Sequence, residues 1–131
     1  MSSENLDVVR GIIQAFKRQE WATALDGYDE AAELDQSRMP GGGIYHGREG
    51  INRFYARWIG SWDEFEVDPV ELLDAGDDVI AIMDISGIGK ASGAAVKMRA
   101  ADVYTVAGGK VVKQVAYPDA SEALADAGLS H

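Results

Sequence analysis

Cysteine is absent from this 131-residue sequence, and histidine occurs only twice, as His46 and His131. The lack of cysteine excludes disulfides, thiolate metal sites and cysteine nucleophiles. Two histidines so far apart in the sequence do not form a metal-binding pattern, and no Gly-x-Ser-x-Gly motif offers a serine nucleophile. We therefore expect no metal, no cofactor and no hydrolase chemistry of the serine or cysteine type.

Positive charge is also scarce, and long apolar runs are missing. Lysine and arginine number 12 against 22 aspartates and glutamates, which gives a formal net charge of -10 at pH 7. Nucleic-acid phosphates and anionic membrane surfaces repel such a chain, so neither is an expected partner. No apolar stretch approaches the roughly 20 residues that cross a bilayer. The first residues lack the basic and apolar regions of a signal peptide, so the expected location is the cytoplasm.

The residues that are present have the composition of an ordinary globular protein, with 47% hydrophobic and 26% charged. A chain of this length is expected to form one domain over residues 1–131. Apolar residues recur at helical spacing over residues 6–16 and, with several aromatics, over residues 51–59. Shorter helices are predicted for residues 21–28 and 121–127.

The second half of the chain changes to a period of two, which is typical of strands. It predicts strands at about 63–74, 78–88, 94–107 and 110–117, and a further short strand is a candidate around 31–35. Asp77-Asp78 and Gly108-Gly109 mark tight hairpin turns. Pro69 predicts that its strand lies at a sheet edge or carries a bulge. Helices followed by an antiparallel meander predict an α+β domain in which one curved sheet packs against helices.

A glycine-rich stretch at residues 41–50 comes close to a phosphate-binding motif. That motif needs lysine where this chain has Arg48, and serine or threonine where it has Glu49. No parallel-sheet pattern precedes the stretch, so we reject nucleotide binding. We interpret it as a flexible approach to the aromatic helix, with residues 41–45 expected near the mouth of a pocket.

The most informative signal is a lone carboxylate on an apolar strand face. Every second residue of the third predicted strand is apolar or aromatic except Asp102. An ionised carboxylate in a core is costly, so it must find partners, become neutral or line a cavity. Asp84 presents a similar conflict on the preceding strand, and an even register would place it on the same face as Asp102. Two nearby carboxylates in apolar surroundings raise at least one pKa, which provides an acid or base near neutral pH.

The same aspartates also have a purely structural interpretation. Hydroxyl groups of Tyr45, Tyr55 or Tyr117, or the ring of His46, are available to satisfy an inward carboxylate. The aromatic stripe of the helix at 51–59 is expected mainly to pack in the core.

Six segments then carry a family resemblance by their order and spacing: VVRGIIQAF, WATALDGYD, IYHGREGINRFY, VELLDAGDDVIAI, GGKVVKQVAYPD and EALADAGL. With them the chain resembles the SnoaL-like branch of the NTF2-like superfamily over almost its whole length. The resemblance implies a cone-shaped, cystatin-like α+β fold. In it, N-terminal helices pack on a strongly curved, mostly antiparallel sheet that encloses one apolar pocket. It also implies a homodimer through the outer face of the sheet.

Site residues carry over from the family position by position. In the ketosteroid isomerases of this superfamily, the position of Asp102 holds a protonated acid that binds the developing oxyanion, and the general base falls at Asp35 or Gln36. The essential tyrosine of that family falls at Ile12, so half of the oxyanion hole is missing unless another tyrosine, such as Tyr28, Tyr45 or Tyr55, replaces it.

A comparison with the limonene-type epoxide hydrolases gives a weaker match. Asp84 falls on one of their two catalytic aspartates, whereas Ile82 and Ala116 stand where those enzymes have an arginine and the second aspartate. The resemblance also implies the side chains that contact a ligand in the pocket, which we expect to be Tyr45, Tyr55, Trp58, Met83, Met98, Tyr104 and Gln114.

Three functions remain open at this point. One is an enzyme that removes a proton alpha to a carbonyl, as in isomerisation or aldol cyclisation of a polyketide-, steroid- or terpenoid-like molecule. In that enzyme Asp35 is the base and Asp102 is the hydrogen-bond donor. Another is a protein that binds such a small apolar molecule without catalysis. The third is a dimeric scaffold with a vestigial pocket, since this fold is shared far more widely than any one chemistry.

Overall fold

The structure, a computed structural model, describes residues 2–128, and His131 lies outside that range. The described residues form α1 (Ser2–Lys17), α2 (Trp21–Asp26), β1 (Tyr28–Asp35), β2 (Ile44–His46), α3 (Gly47–Gly60), β3 (Trp62–Ala75), β4 (Asp78–Gly89), β5 (Ala95–Ala107), β6 (Lys110–Tyr117) and α4 (Ala120–Asp126). None of the helices within residues 2–128 is long and apolar enough to cross a membrane.

All six strands belong to one sheet, in the order β2-β1-β6-β5-β4-β3. Adjacent strands are antiparallel except β1 and β6, which run parallel. The N-terminal helices precede the sheet in sequence and cover its inner face. The α+β fold predicted from the sequence is confirmed, with its curved and mostly antiparallel sheet.

Several element boundaries differ from the sequence prediction. The second helix ends at Asp26 rather than near residue 28, and Tyr28 begins β1 after Gly27 ends the helix. Strand β2 was not predicted because three residues are too few to show a period. The first hairpin turn comes one residue early, at Gly76 and Asp77, because Gly76 adopts a φ of 79° that favours glycine.

Pro69 has both features that the sequence suggested. Its strand β3 is at the edge of the sheet, and the register with β4 shifts between Pro69 and Glu71. A proline is tolerated there because its missing N–H breaks no central ladder.

The sheet is buried on both faces at its centre. On the inner face, residues such as Val79, Ala81 and Met83 join the main core beneath α1 and α3. On the outer face, Ile80 and Ile82 pack with α4 in a second cluster. Strand β4 is therefore apolar on both sides, and its sequence reads as an almost continuous apolar run rather than an alternation.

Candidate functional site

A cavity of about 100 Å³ lies between the N-terminal helices and the inner face of the sheet. Helices α1 and α3 form one wall, strands β1 and β3 to β6 form the other, and the loop after β1 contributes two residues. The lining is mostly apolar and aromatic, with one carboxylate among the described residues. It consists of Ile12, Ile13, Phe16, Tyr28, Gln36, Met39, Phe54, Tyr55, Trp58, Val67, Met83, Ile85, Ala100, Asp102, Tyr104, Gln114 and Ala116.

The helical wall is a cluster of aromatic rings around Phe16. The centroid of its ring lies 5.4 Å from that of Tyr55 and 5.7 Å from that of Trp58. Edge-to-face and tilted pairs at these distances stabilise a packed aromatic surface. The stripe on α3 therefore packs as predicted, and it also presents Tyr55 and Trp58 to the cavity.

Asp102 reaches the cavity because of its place in the sheet. It faces Ala81 on β4 and Ala116 on β6, and it shares the inner face with Tyr104. The two alanines are small, so the carboxylate has no large neighbours directly across the strands. The small side chains of Ala81 and Ala116 therefore leave space beside the carboxylate of Asp102.

A chain of four side chains connects Asp102 to the helical wall. The hydroxyl groups of Tyr55 and Tyr28 are 2.9 Å apart, and the Tyr28 hydroxyl donates to Oε1 of Gln114. The Gln114 amide in turn donates to Oδ2 of Asp102 over 2.6 Å. These residues come from α3, β1, β6 and β5, so the sheet order itself assembles the chain.

Burial controls the ionisation of the whole group. It raises the pKa of Asp102 to about 6, although the hydrogen bond from Gln114 opposes the shift by stabilising the carboxylate. Burial also raises the pKa of Tyr28, Tyr55 and Tyr104, with the charge of Asp102 adding to the effect. At neutral pH these tyrosines are therefore protonated hydroxyl groups, whereas Asp102 titrates close to the physiological range.

Asp84 does not share this site. It pairs across the ladder with Arg99, on the outer face of the sheet, and the guanidinium binds its carboxylate at 2.7 and 3.0 Å. Hydrogen bonding to Arg99 lowers the pKa of Asp84. The expectation that Asp84 shares a face with Asp102 was wrong. The register pairs Asp102 with Ala81, so the odd-numbered residues of β4 lie on the face of Asp102 and Asp84 lies on the opposite face.

Asp35 is also outside the cavity lining. Its carboxylate accepts hydrogen bonds from the backbone N–H and the hydroxyl of Ser37, at 2.9 and 2.6 Å, and these bonds lower its pKa. The next residue, Gln36, lines the cavity instead. An amide cannot accept a proton as a general base, so the described lining contains no second carboxylate to act beside Asp102.

Five of the seven expected ligand contacts line the cavity, and two do not. Tyr55, Trp58, Met83, Tyr104 and Gln114 are part of the lining. Met98 is half-buried on the inner face but lies beyond the lining. Tyr45 packs against Phe54, and its hydroxyl accepts a hydrogen bond of 3.1 Å from Arg57.

The loop at residues 36–43 closes one side of the cavity through Gln36 and Met39. The Gln36 N–H donates to the Gly43 carbonyl over 2.7 Å, and the Gly42 N–H donates to the Met39 carbonyl over 2.9 Å. A Cβ atom on Gly42 would lie 1.7 Å from the carbonyl oxygen of Gln36. Gly42 is therefore needed for the compact path of this loop.

Four lining residues were absent from the predicted ligand contacts: Phe16, Tyr28, Gln36 and Met39. Of these, Tyr28 and Gln36 had been named only through the family resemblance. Tyr28 was assigned to a helix, and only its position directly after Gly27 signalled a change of element. Gln36 and Met39 lie in a loop without periodicity, so no pattern could have placed them. Phe16 belonged to the predicted apolar face of α1, which does not distinguish a core contact from a cavity wall.

Comparison with known proteins places this geometry in a family. A family model described as a SnoaL-like domain matches residues 9–114. No curated protein sequence matches the chain significantly.

Solved structures share the fold over nearly the full length. An NTF2-like protein from Burkholderia thailandensis is 28% identical, with 93% of this chain and 95% of that chain covered and a TM-score of 0.80. TerC, co-crystallised with polyporic acid, is 19% identical, with coverages of 94% and 96% and a TM-score of 0.79. A Catenulispora acidiphila protein with a ketosteroid isomerase-like fold, in complex with trimethylamine, is 20% identical, with coverages of 93% and 92% and a TM-score of 0.75. With most of its length matched by the family model, the chain belongs to the SnoaL-like domain family.

Proposed function

We propose that this protein binds a small, largely apolar molecule in the cavity and holds one polar group of that molecule at Asp102. The observation that carries the proposal is a single carboxylate on a mostly apolar and aromatic wall. Only Oδ2 of this carboxylate is hydrogen-bonded among the described residues, so Oδ1 is free for a ligand. A pocket with apolar walls and one well-placed polar group is the usual form of a small-molecule site. Other proteins of this fold form complexes with small organic molecules, polyporic acid and trimethylamine.

The size of the cavity limits the ligand. An apolar cavity of about 150 Å³ holds benzene, and the cavity here measures about 100 Å³. A ligand with few non-hydrogen atoms fits the structure as it stands. The larger polyketide-, steroid- or terpenoid-like molecules considered from the resemblance require the loop at residues 36–43 to move away from the sheet.

Proton transfer is a second candidate function, and the raised pKa of Asp102 favours it. A carboxylate with a pKa of about 6 and a free oxygen is an effective general base near neutral pH. In such a reaction, a proton alpha to a carbonyl moves to Oδ1 of Asp102, and the electron pair of the broken C–H bond moves onto the carbonyl oxygen. The Tyr104 hydroxyl lines the same cavity and is a donor for that oxygen. In this proposal Asp102 replaces Asp35 as the base.

The binding proposal is tested with a library of small apolar compounds on isotopically labelled protein. We expect some compounds to shift the NMR signals of Tyr55, Trp58 and Met83, and Asp102→Asn to weaken their binding. Asp84→Asn is the matched control, because it removes a carboxylate from the same strand pair on the other face. If no compound moves the cavity signals, binding is excluded. If Asp102→Asn binds as tightly as the natural chain, Asp102 is not the anchor.

Proton transfer has its own test. We expect the natural protein, and the Asp84→Asn control, to accelerate deuterium exchange at the central carbon of 2,4-pentanedione in D2O. Asp102→Asn should exchange at the rate of buffer alone. Equal rates for natural protein and buffer would leave binding as the function.

We also propose the homodimer that the resemblance implies. Beside α4, the outer face of the sheet keeps the half-buried Val103 and Val115, which are apolar side chains that a second copy could cover. Sedimentation of the purified protein at twice the mass of one chain supports this, whereas a single-chain mass at all concentrations contradicts it.

A further inference from the structure

The charge of the cavity wall is not balanced. Among the described residues that line it, Asp102 is the one side chain that ionises near neutral pH, and no lysine, arginine or histidine lies beside it in the lining. Its carboxylate has room for about four hydrogen bonds and receives one, from Gln114. A partly buried carboxylate with so few partners is costly unless a positive group or further donors complete it.

The direction of the hydrogen bonds increases this imbalance. An ionised Asp102 accepts only, so Gln114 must turn its amide NH2 toward it and its Oε1 toward Tyr28. Tyr28 then donates its single hydroxyl proton to that oxygen. In the contact between the two tyrosines, Tyr55 is therefore the donor, and its proton is also used. Both hydroxyl groups present lone pairs rather than protons to a ligand.

The rest of the wall is suited to alkyl groups and to positive charge. Phe16, Tyr55 and Trp58 form a contiguous aromatic surface on the helical side of the cavity. Aromatic faces attract cations through the quadrupole of the ring, and tryptophan does so most strongly. A net charge of -10 on the chain also raises the local concentration of cations.

From these observations we propose that the cavity selects small alkylammonium cations. The ammonium group donates a hydrogen bond to Oδ1 of Asp102, and its alkyl groups contact Phe16, Tyr55 and Trp58. This inference rests on the proposed binding function and names the chemical class of its ligand. An anionic ligand is disfavoured because it would meet the Asp102 carboxylate without a cation to offset the repulsion.

Two hydrogen-bond donors in the lining favour neutral or anionic ligands instead, so the experiment must include both of these classes. Tyr104 and Gln36 can each donate to an oxygen of a neutral or anionic ligand. Both groups are uncharged. The ion pair with Asp102 therefore decides the preference, because hydrogen bonds that involve a charged group are about twice as strong as neutral ones.

Three probes with the same tert-butyl body separate these classes: tert-butylammonium, tert-butanol and pivalate. Their affinities for the full-length protein are measured at pH 7.5 from NMR shifts of the cavity residues. We expect tert-butylammonium to bind at least about tenfold more tightly than tert-butanol, and pivalate to bind most weakly. Asp102→Asn should remove the preference for the cation, while the control Asp84→Asn should keep it.

The natural protein gives an independent readout that does not depend on a variant. Binding of tert-butylammonium should lower the pKa of Asp102, followed by the NMR shift of its carboxyl carbon, because the cation stabilises the carboxylate. If tert-butanol or pivalate shifts the cavity signals and binds as tightly as the cation, the ammonium inference is overturned and the binding function stands. If none of the three probes moves the cavity signals, both are overturned.

Discussion

The amide nitrogen of Gln114 lies 2.6 Å from Oδ2 of Asp102, and this bond joins the carboxylate to the two buried tyrosines. Because the amide stabilises the ionised form, it holds the pKa of Asp102 below the value that burial alone would produce. Gln114 thus favours the charged form of Asp102 against the effect of burial, without being ionisable itself.

Replacing Gln114 by leucine should raise the pKa of Asp102 above about 6, because the opposing hydrogen bond is lost while burial remains. A pH titration followed by the carboxyl-carbon NMR shift of Asp102 measures this. Gln14→Leu, on the exposed surface of α1, is the matched control and should leave the titration unchanged. A lower pKa in Gln114→Leu would mean that the amide does not stabilise the carboxylate.

The stability of the protein should fall between pH 4 and pH 7 because of Asp102. Its pKa is about 6 in the folded state and near 3.8 in the unfolded chain, so the folded state keeps a proton that the unfolded state releases. Stability is fully present below the unfolded value and is lost as the pH rises through the folded value, by about 3 kcal/mol in total. Asp102→Asn should lack this loss. Urea unfolding at several pH values measures the difference, and parallel curves for the two proteins would contradict it.

The two tyrosines of the hydrogen-bonded chain should differ in their contribution to stability. Tyr28→Phe removes two hydrogen bonds and leaves both Oε1 of Gln114 and the Tyr55 proton without partners, so a loss of about 2 to 3 kcal/mol is expected. Tyr55→Phe removes one bond and leaves no buried proton unpaired, so the loss should be about 1 kcal/mol. Chemical denaturation measures both. An equal or reversed order would show that the donor directions are wrong.

The loop at residues 36–43 should be sensitive to a methyl group at one glycine and not at its neighbour. Gly42→Ala places a Cβ against the Gln36 carbonyl oxygen, so the loop must shift, with an expected loss of about 2 kcal/mol. Gly43→Ala meets no atom within 4 Å and should change the stability by less than about 0.5 kcal/mol. Thermal unfolding measures the difference. Because Gln36 and Met39 line the cavity, Gly42→Ala should also shift the NMR signals of cavity residues.

The sequence predicted the larger elements and the carboxylate, because both produce local patterns. Strands β3 to β6 lie within one residue of their predicted bounds, because turn residues mark the ends of the hairpins and a period of two is visible in β5 and β6. Asp102 was found because it is the one charged residue in an otherwise apolar alternation along β5. The family resemblance was confirmed by the match over residues 9–114.

The remaining site residues depend on information that no local pattern contains. Asp84 could not be assigned to a face because β4 is apolar on both sides, so its alternation is hidden. Asp35 and Gln36 are adjacent, and the structure shows that Gln36 shares the buried side of β1 with Ala32 and Leu34. Tyr28 lies at the boundary between two elements, where propensities are least informative.

The hydrogen bond between Tyr28 and Gln114 joins residues 86 positions apart, across the parallel pair of β1 and β6. On the ribosome, the amide that orients Asp102 is added only after nearly nine-tenths of the described chain has been made. Until β6 pairs with β1, the nascent protein holds Asp102 without its amide partner and Tyr28 without its acceptor. The wall of the cavity around Asp102 is therefore complete only after β6 has paired with β1, and a chain that stops before Gln114 lacks it.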